Sequence, residues 1–316
     1  MKKKIIISMM LIFLAGCAVY LSYLSHGKVK KLGEWGGTGN KPGKFGENGL
    51  LSVAVNSSGT TIYASDCETY HGVIKYFSSS GKFLGQWGNR GRRKGEFFSP
   101  AIAINSSGTT LYTLDITSDD VQYFTPSGKY LGQWGNFGGW YGEFNHPGGV
   151  VINSAGTTVY VSDTGNSRIE YFSPTGKYLG KFSYYVEGGL PCAPQGIAIN
   201  SAGTTIYVVD NWHNQVFYFS PTGQPLGHWG KAGHGNGEFW GPNSIALNSA
   251  GTTVFVSDDG NGRIEYFTPT GKYLGQWKCY KTGVENSLFI AVNPINNIVY
   301  VANIHNDYIA LYKLLP

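Results

Sequence analysis

Residues 149–182 read GVVINSAGTTVYVSDTGNSRIEYFSPTGKYLGKF, and the fold can be read from them. Gly149 to Asn153 is apolar and ends in an "NSAG" turn. Thr158 to Asp163 alternates and ends in a "TGNS" loop. Arg168 to Phe172 alternates and ends in "SPTG", and Tyr178 to Phe182 closes the unit. Alternation with period two marks strands whose side chains face opposite ways, while Gly, Asn, Ser and Pro supply the tight turns. Four short strands in sequence make an antiparallel meander.

The same unit recurs outward in both directions. "GTTxYxxD" places its Asp at 66, 115, 163, 210 and 258, with Asn303 in the sixth copy, at steps of 49, 48, 47, 48 and 45 residues. "LGxW" ends at Trp35, Trp87, Trp134, Trp229 and Trp277, with Phe182 in the copy reading "LGKF". A period in the forties built of four strands predicts one propeller blade per repeat. The 46 Gly residues and 15% aromatic content suit such a protein.

The chain ends set the blade count. The sixth copy stops at Tyr308 to Leu315 without its "LGxW" strand, and an unpaired "KLGEW" at Lys31 to Trp35 precedes the first copy. Pairing the two predicts an all-β, six-bladed β-propeller of four-stranded antiparallel blades, closed by the N-terminal strand joining the last blade, in one domain over 32–316. Inner strands such as Val53-Ala54-Val55 and Ile102-Ala103-Ile104 place Ala where blades crowd toward the axis.

The repeat resembles the NHL repeat. The likeness rests on "GEF" lead-ins at Gly95-Glu96-Phe97, Gly142-Glu143-Phe144 and Gly237-Glu238-Phe239, on "YVSD", and on "N-x-R-I" at Asn166 to Ile169 and Asn261 to Ile264. Blade 4 departs, with "EGGLP" for the lead-in and Gln215 in place of Arg; blades 1 and 2 also lack the Asn and Arg. Six-bladed relatives implied by the resemblance include lyases, such as the peptidyl-amidating lyase, and lactonases that hold a divalent ion at the mouth of the central channel.

At the amino terminus, Lys2 to Lys4 and the apolar run Ile5 to Leu14 form an export signal, and Leu14-Ala15-Gly16-Cys17 resembles a bacterial lipobox. The expectation is a signal peptide over 1–16, lipid attachment at Cys17 and a lipid-anchored tether over 17–31. The alternative is an uncleaved signal anchor over 5–24, long enough to span a bilayer. Either places the body outside the cytoplasm, in the cell envelope. Cys67, Cys192 and Cys279 then remain, as three partly buried thiols or with one bridge guessed at Cys192–Cys279.

Charge narrows the partners. Of 24 basic residues, six Lys precede the first repeat, leaving 18 against 19 acidic ones and a net of −1 for the body. That balance lacks the field of a nucleic-acid binder. The cysteines are too few for a RING domain, and P-loop, dinucleotide, nucleophile-elbow, HExxH and paired CxxC motifs are all missing from the sequence.

Because strand directions alternate, the strand-two-to-three loops and the blade-to-blade links emerge on one face, the upper face, while the repetitive "NSxGTT" and "SPTGK" turns occupy the other. Sequence variation gathers above, where Tyr70, His71, Arg92, Arg93, Trp140, Tyr141, Trp212, His213, His234 and Trp240 form the candidate binding face. His146, His305, Tyr184, Tyr185, Arg90 and Lys94 lie there too. Rigid aromatics beside Arg and His suit recognition of an extracytoplasmic protein, peptide or glycan. His71, His213 and His305 follow the repeat Asp or Asn at unequal offsets of 5, 3 and 2, so neither a metal site nor a cofactor is expected. The alternative function is a metal-assisted lyase or lactonase-type enzyme at the channel mouth. The repeated Asp residues are expected to hold turns by accepting backbone hydrogen bonds or to pair with the following Arg, as Asp163 and Arg168 do in this reading.

Overall fold

The computed structural model describes residues 29–67, 72–186, 188–279 and 288–315. Its strands form six four-stranded antiparallel sheets. Blade 1 comprises β2 (Leu50–Val55), β3 (Thr61–Asp66), β4 (Val73–Ser78) and β5 (Phe83–Trp87). Blade 2 holds β6 (Pro100–Ile104), β7 (Leu111–Asp115), β8 (Asp120–Phe124) and β9 (Tyr130–Trp134). In blade 3 these are β10 (Gly149–Ile152), β11 (Val159–Asp163), β12 (Arg168–Phe172) and β13 (Tyr178–Phe182). Blade 4 has β14 (Pro194–Ile199), β15 (Ile206–Asp210), β16 (Gln215–Phe219) and β17 (Pro225–Trp229). Blade 5 runs through β18 (Pro242–Leu247), β19 (Val254–Asp258), β20 (Arg263–Phe267) and β21 (Tyr273–Lys278).

Blade 6 joins β22 (Leu288–Val292), β23 (Val299–Asn303) and β24 (Tyr308–Leu314) to β1 (Val29–Gly36) from the amino terminus. Trp35 pairs with Ile309 and Val29 with Leu314, so the expected ring closure is observed. Asp307 reinforces it: its carboxylate accepts from Thr38 Oγ1 at 2.9 Å and from the backbone N–H groups of Asn48 and Gly49 at 3.1 and 3.0 Å.

The "LG" of the outer strands in blades 1 to 5 has a steric reason. The pairing skips one residue there, as between Gly85↔Tyr76 and Phe83↔Phe77, which turns Leu84 outward. A Cβ on Gly85 would lie 2.4 Å from the Tyr76 hydroxyl, which crosses directly over it. In the turn Thr125-Pro126-Ser127-Gly128, Gly128 has φ +88°, and a Cβ would meet the Trp87 ring of the preceding blade at 2.4 Å. Trp35, Trp87, Trp134, Phe182 and Trp229 thus pack under the next blade's turn, Trp277 packs on Tyr312, and six apolar clusters fill the spaces between blades.

The lower turns are structural, as their repetition indicated. Asn56 Oδ1 accepts from the N–H groups of Thr60 and Thr61 at 2.9 and 3.0 Å, and Asn105, Asn153, Asn200 and Asn248 repeat this. The three cysteines are free thiols, so the guessed Cys192–Cys279 bridge is not formed. Cys192 instead donates to Ser167 O at 3.1 Å, and Cys279 packs into the apolar cluster between blades 5 and 6.

Candidate binding face

The upper loops are built on buried carboxylates. Asp163, at the end of β11, accepts from Asn145 N–H at 2.8 Å, from Asn166 Nδ2 at 2.8 Å and from Arg168 Nε at 2.7 Å. The remaining Arg168 nitrogens donate to the carbonyls of Gly139, Trp140 and Glu143 at 2.7–2.8 Å. One guanidinium therefore clamps the link 139–144 onto blade 3. Blade 5 repeats the arrangement through Asp258, Asn261 and Arg263. Asp66, Asp115 and Asp210 likewise accept from backbone N–H groups of their links, at Gly46, Phe98 and Ala193. The repeated carboxylates have the structural role expected of them, and Asp163 pairs with Arg168.

Burial governs the charges here. It pushes Glu170, beside Arg168, up to about 7 despite the opposing guanidinium, and Glu265 behaves alike beside Arg263. In blade 2 the position of Arg168 is taken by Asp120, facing Asp115 across the strands. Burial, and then the like charges of Asp115 and Asp119, push Asp120 up to about 7.

On this rigid base several side chains stand in solvent. Trp140 sits at the tip of the clamped link, with its N–H donating to Glu143 Oε2 at 3.0 Å and its carbonyl held by Arg168, yet its side chain is 79% exposed. Tyr141, 67% exposed, stacks on Tyr178 at 5.3 Å with Lys181 Nζ 5.1 Å from its ring. Trp212, 77% exposed, rises from the strand-two-to-three loop of blade 4. That loop is tied to the next link, which carries Trp240, by Gly241 N–H donating to Asn214 Oδ1 at 2.8 Å. His234 packs on Trp240, with ring centroids 5.6 Å apart, and its Nδ1 bonds Asn261 Oδ1. Arg92 and Arg93 are exposed in the link before β6, where Arg90 and Arg92 lie over the Phe98 ring at 4.9 and 5.8 Å.

His213 of the candidate face and Tyr184, read onto the same upper face, both turn inward. His213 is turned down onto Asp210, with Nδ1 2.8 Å from Oδ1, because it occupies the position of Asn166 and Asn261 in blades 3 and 5. Tyr184 is buried, tilted against Phe217 at 4.5 Å. Tyr70 and His71 fall outside the described residues.

The axis carries little chemistry. A cavity of about 80 Å³ is lined by inner-strand residues of all six blades, among them Ser52, Ile102, Val150, Ile197, Ser244 and Ile290, with no titratable side chain in its wall. Its serines join neighbouring blades, with Ile102 N–H donating to Ser52 Oγ at 3.2 Å and Ile290 N–H to Ser244 Oγ at 3.1 Å. Among the described residues no three of His, Cys, Asp and Glu converge as a metal site.

Blade 4 holds a feature the sequence reading did not single out. A cavity of about 570 Å³ opens on its flank, between Tyr184, Phe217, Phe219, Pro225 and His228.

A family profile described as a 6-bladed beta-propeller matches residues 196–308. No curated protein matches the sequence. Among solved structures, hydrazine synthase of Kuenenia stuttgartiensis superposes with a TM-score of 0.59 at 14% identity, covering 88% of this chain and 100% of that one. A streptogramin B lyase superposes with a TM-score of 0.62 at 12% identity, covering 91% of this chain and 97% of that one. At such identities the likeness is one of fold.

Proposed function

We propose that the protein is an envelope-anchored binding platform whose upper face receives an extracytoplasmic protein, peptide or glycan. The observation that carries this reading is Trp140: an indole in solvent on a backbone fixed by a buried guanidinium. A large ring on a rigid tip gains contact area without a backbone ordering cost on binding, which is the economy of a recognition residue. Trp212 and the His234–Trp240 pair extend the same rim, and Arg92 and Arg93 add positive charge at its edge.

Anchoring is part of the proposal and rests on the sequence of residues 1–31, with Cys17 as the lipidated residue. The resemblance to NHL repeats supports it too, as a repeat that displays variable loops on one rim. An enzymatic reading, which the two structural neighbours bring to mind, gains no support from the channel wall, in which the described residues place no titratable side chain.

Replacing Arg92, Arg93, Trp140 and Trp212 by Ala should abolish partner crosslinking from intact envelopes while leaving thermal unfolding within about 1 °C of wild type, since all four side chains are exposed. Undiminished crosslinking would refute the assignment of this face. Metal analysis before and after chelation is the companion measurement: an ion retained near stoichiometry would turn the reading toward catalysis.

A further inference from the structure

The flank cavity of blade 4 is explained by comparing the blades with one another. In blades 1, 2, 3 and 5 the last residue of the third strand or its neighbour is a buried Phe, at 77, 124, 172 and 267, and each is met by three rings. The first comes from the preceding outer strand: Trp35, Trp87, Trp134 and Trp229, with centroids 4.4, 4.7, 5.7 and 5.7 Å away. The second is the lead-in Phe, at 45, 97, 144 and 239, at 5.8, 6.0, 5.7 and 5.6 Å. The third opens the blade's own outer strand and stands edge-on: Phe83, Tyr130, Tyr178 and Tyr273, at 5.7–5.9 Å and 70–76°.

Phe219 of blade 4 keeps the first two. Phe182 lies 5.2 Å from it and Tyr184 stands in for the lead-in Phe at 5.1 Å. The third position belongs to Pro225, which has no aromatic ring, and the 570 Å³ cavity opens beside it. The space left by Pro225 is enlarged because the "GEF" hook, which in blades 2, 3 and 5 lies over the third strand through Gly95, Gly142 and Gly237, is replaced in this blade. The volume is within the ordinary range for small-ligand sites, and the wall is apolar with a few polar groups, as such sites require.

We infer that this flank is a binding site for a phenol ring, set edge-on to Phe219 where blades 2, 3 and 5 place their own Tyr. Edge-to-face rings at these separations attract beyond the area they bury. The choice of phenol over phenyl comes from blade 2, where the Tyr130 hydroxyl donates to Gln133 Oε1 at 3.0 Å. The residue at that place in blade 4 is His228, whose ring stacks on Phe217 at 5.2 Å and 27° at the edge of the cavity. A phenol bound here therefore meets an imidazole nitrogen. Two sources share this chemistry, a free phenolic compound and the tyrosine side chain of a peptide. The site lies apart from the exposed indoles of the upper rim.

Titration of the full chain with p-cresol, followed by ligand-observed NMR and calorimetry, tests the site. Saturable binding is expected, with a Kd of about 0.1–1 mM for so small a ligand. Pro225→Tyr supplies the missing ring from the protein and should weaken p-cresol at least about tenfold, whereas Pro225→Ala should bind as wild type. His228→Leu should erase any preference for p-cresol over toluene without touching the melting temperature. Binding of N-acetyltyrosine amide as well as p-cresol would identify a peptide side chain as the source, and binding of p-cresol alone a free phenolic compound. Wild type without saturable binding, or Pro225→Tyr binding p-cresol unchanged, would overturn the inference. Should Pro225→Tyr fail to fold, competition by Pro225→Phe and the toluene comparison in His228→Leu decide it. Trp140→Ala and Trp212→Ala should leave p-cresol binding intact, so failure here and failure of the upper-face reading are separately visible.

Discussion

Arg168→Val tests whether the clamp beneath the upper face holds that face in place. Arg168 is 4% exposed and makes four hydrogen bonds, to Asp163 Oδ2, Gly139 O, Trp140 O and Glu143 O, with Glu170 Oε1 a further 3.3 Å away. Valine removes every donor and leaves two buried carboxylates without their cation. Removing one partner of a buried ion pair costs about 3–5 kcal/mol, and at about 2 °C per kcal/mol for a large domain the melting temperature should fall about 6–10 °C. Blade 1 shows a remedy, since it carries Val73 at the place of Arg168 and Lys75 at the place of Glu170. Lys75 Nζ reaches Asp66 Oδ2 and Lys44 O, the counterparts of two Arg168 contacts. Arg168→Val with Glu170→Lys should therefore regain about half the loss, near 2 kcal/mol of coupling. Calorimetric melts of wild type, both single variants and the double close the cycle. A single variant within about 1 kcal/mol of wild type, or a double no more stable than Arg168→Val, would refute the reasoning.

Two further outcomes follow from buried titratable groups. Asp120, Glu170 and Glu265 all titrate near 7 in the folded protein, pushed up by burial, against ordinary values of 3.8 for the aspartate and 4.5 for the glutamates. The native state thus holds more protons than the unfolded chain between about pH 4 and 7, so stability should be greatest below that window and decline as pH rises through 7. Asp120→Asn removes one share of the decline and should raise stability at pH 8 by about 1 kcal/mol or more, measured as a flatter melting profile between pH 5 and 8. Burial likewise pushes Cys192 up to about 11 and Cys279 up to about 12. The native protein should therefore react with a thiol reagent orders of magnitude more slowly than the denatured one, while intact mass shows no disulfide.

The fold was legible because a repeat states its grammar many times over. Strand boundaries in blade 3 match within a residue of the reading, and the unpaired "KLGEW" disclosed the ring closure because a blade short of one strand and a strand short of a blade can satisfy each other's backbone groups. The orientation of single loop residues was less legible. His213 read as an exposed histidine because its neighbours differ from those of blades 3 and 5, yet its offset of three from Asp210 is that of Asn166 from Asp163, and the offset decides which way it turns. Tyr184 was placed among the surface aromatics for a similar reason. A ring in a link turns inward when the blade beneath presents a Phe for it, and Phe219 does so.

The blade 4 cavity was illegible for a reason that applies to propellers generally. The wall on which a ligand would sit belongs to blade 4, the hook that would cover it belongs to the link from blade 3, and the ring that would fill it begins another strand. Two segments separated by turns must change together before a cavity opens, and each change alone reads as a tolerable lapse in the repeat: "EGGLP" for a hook and Pro225 for Tyr. Had only Pro225 changed, the lead-in would still have covered the gap; had only the lead-in changed, a Tyr would still have filled it. Departures that coincide on one flank cost packing that the other blades retain, since an unfilled aromatic site forgoes roughly 1–3 kcal/mol of burial. Sequence drift relieved by repacking would close such a gap, whereas here Tyr184, Phe217 and His228 line it with rings and leave it open.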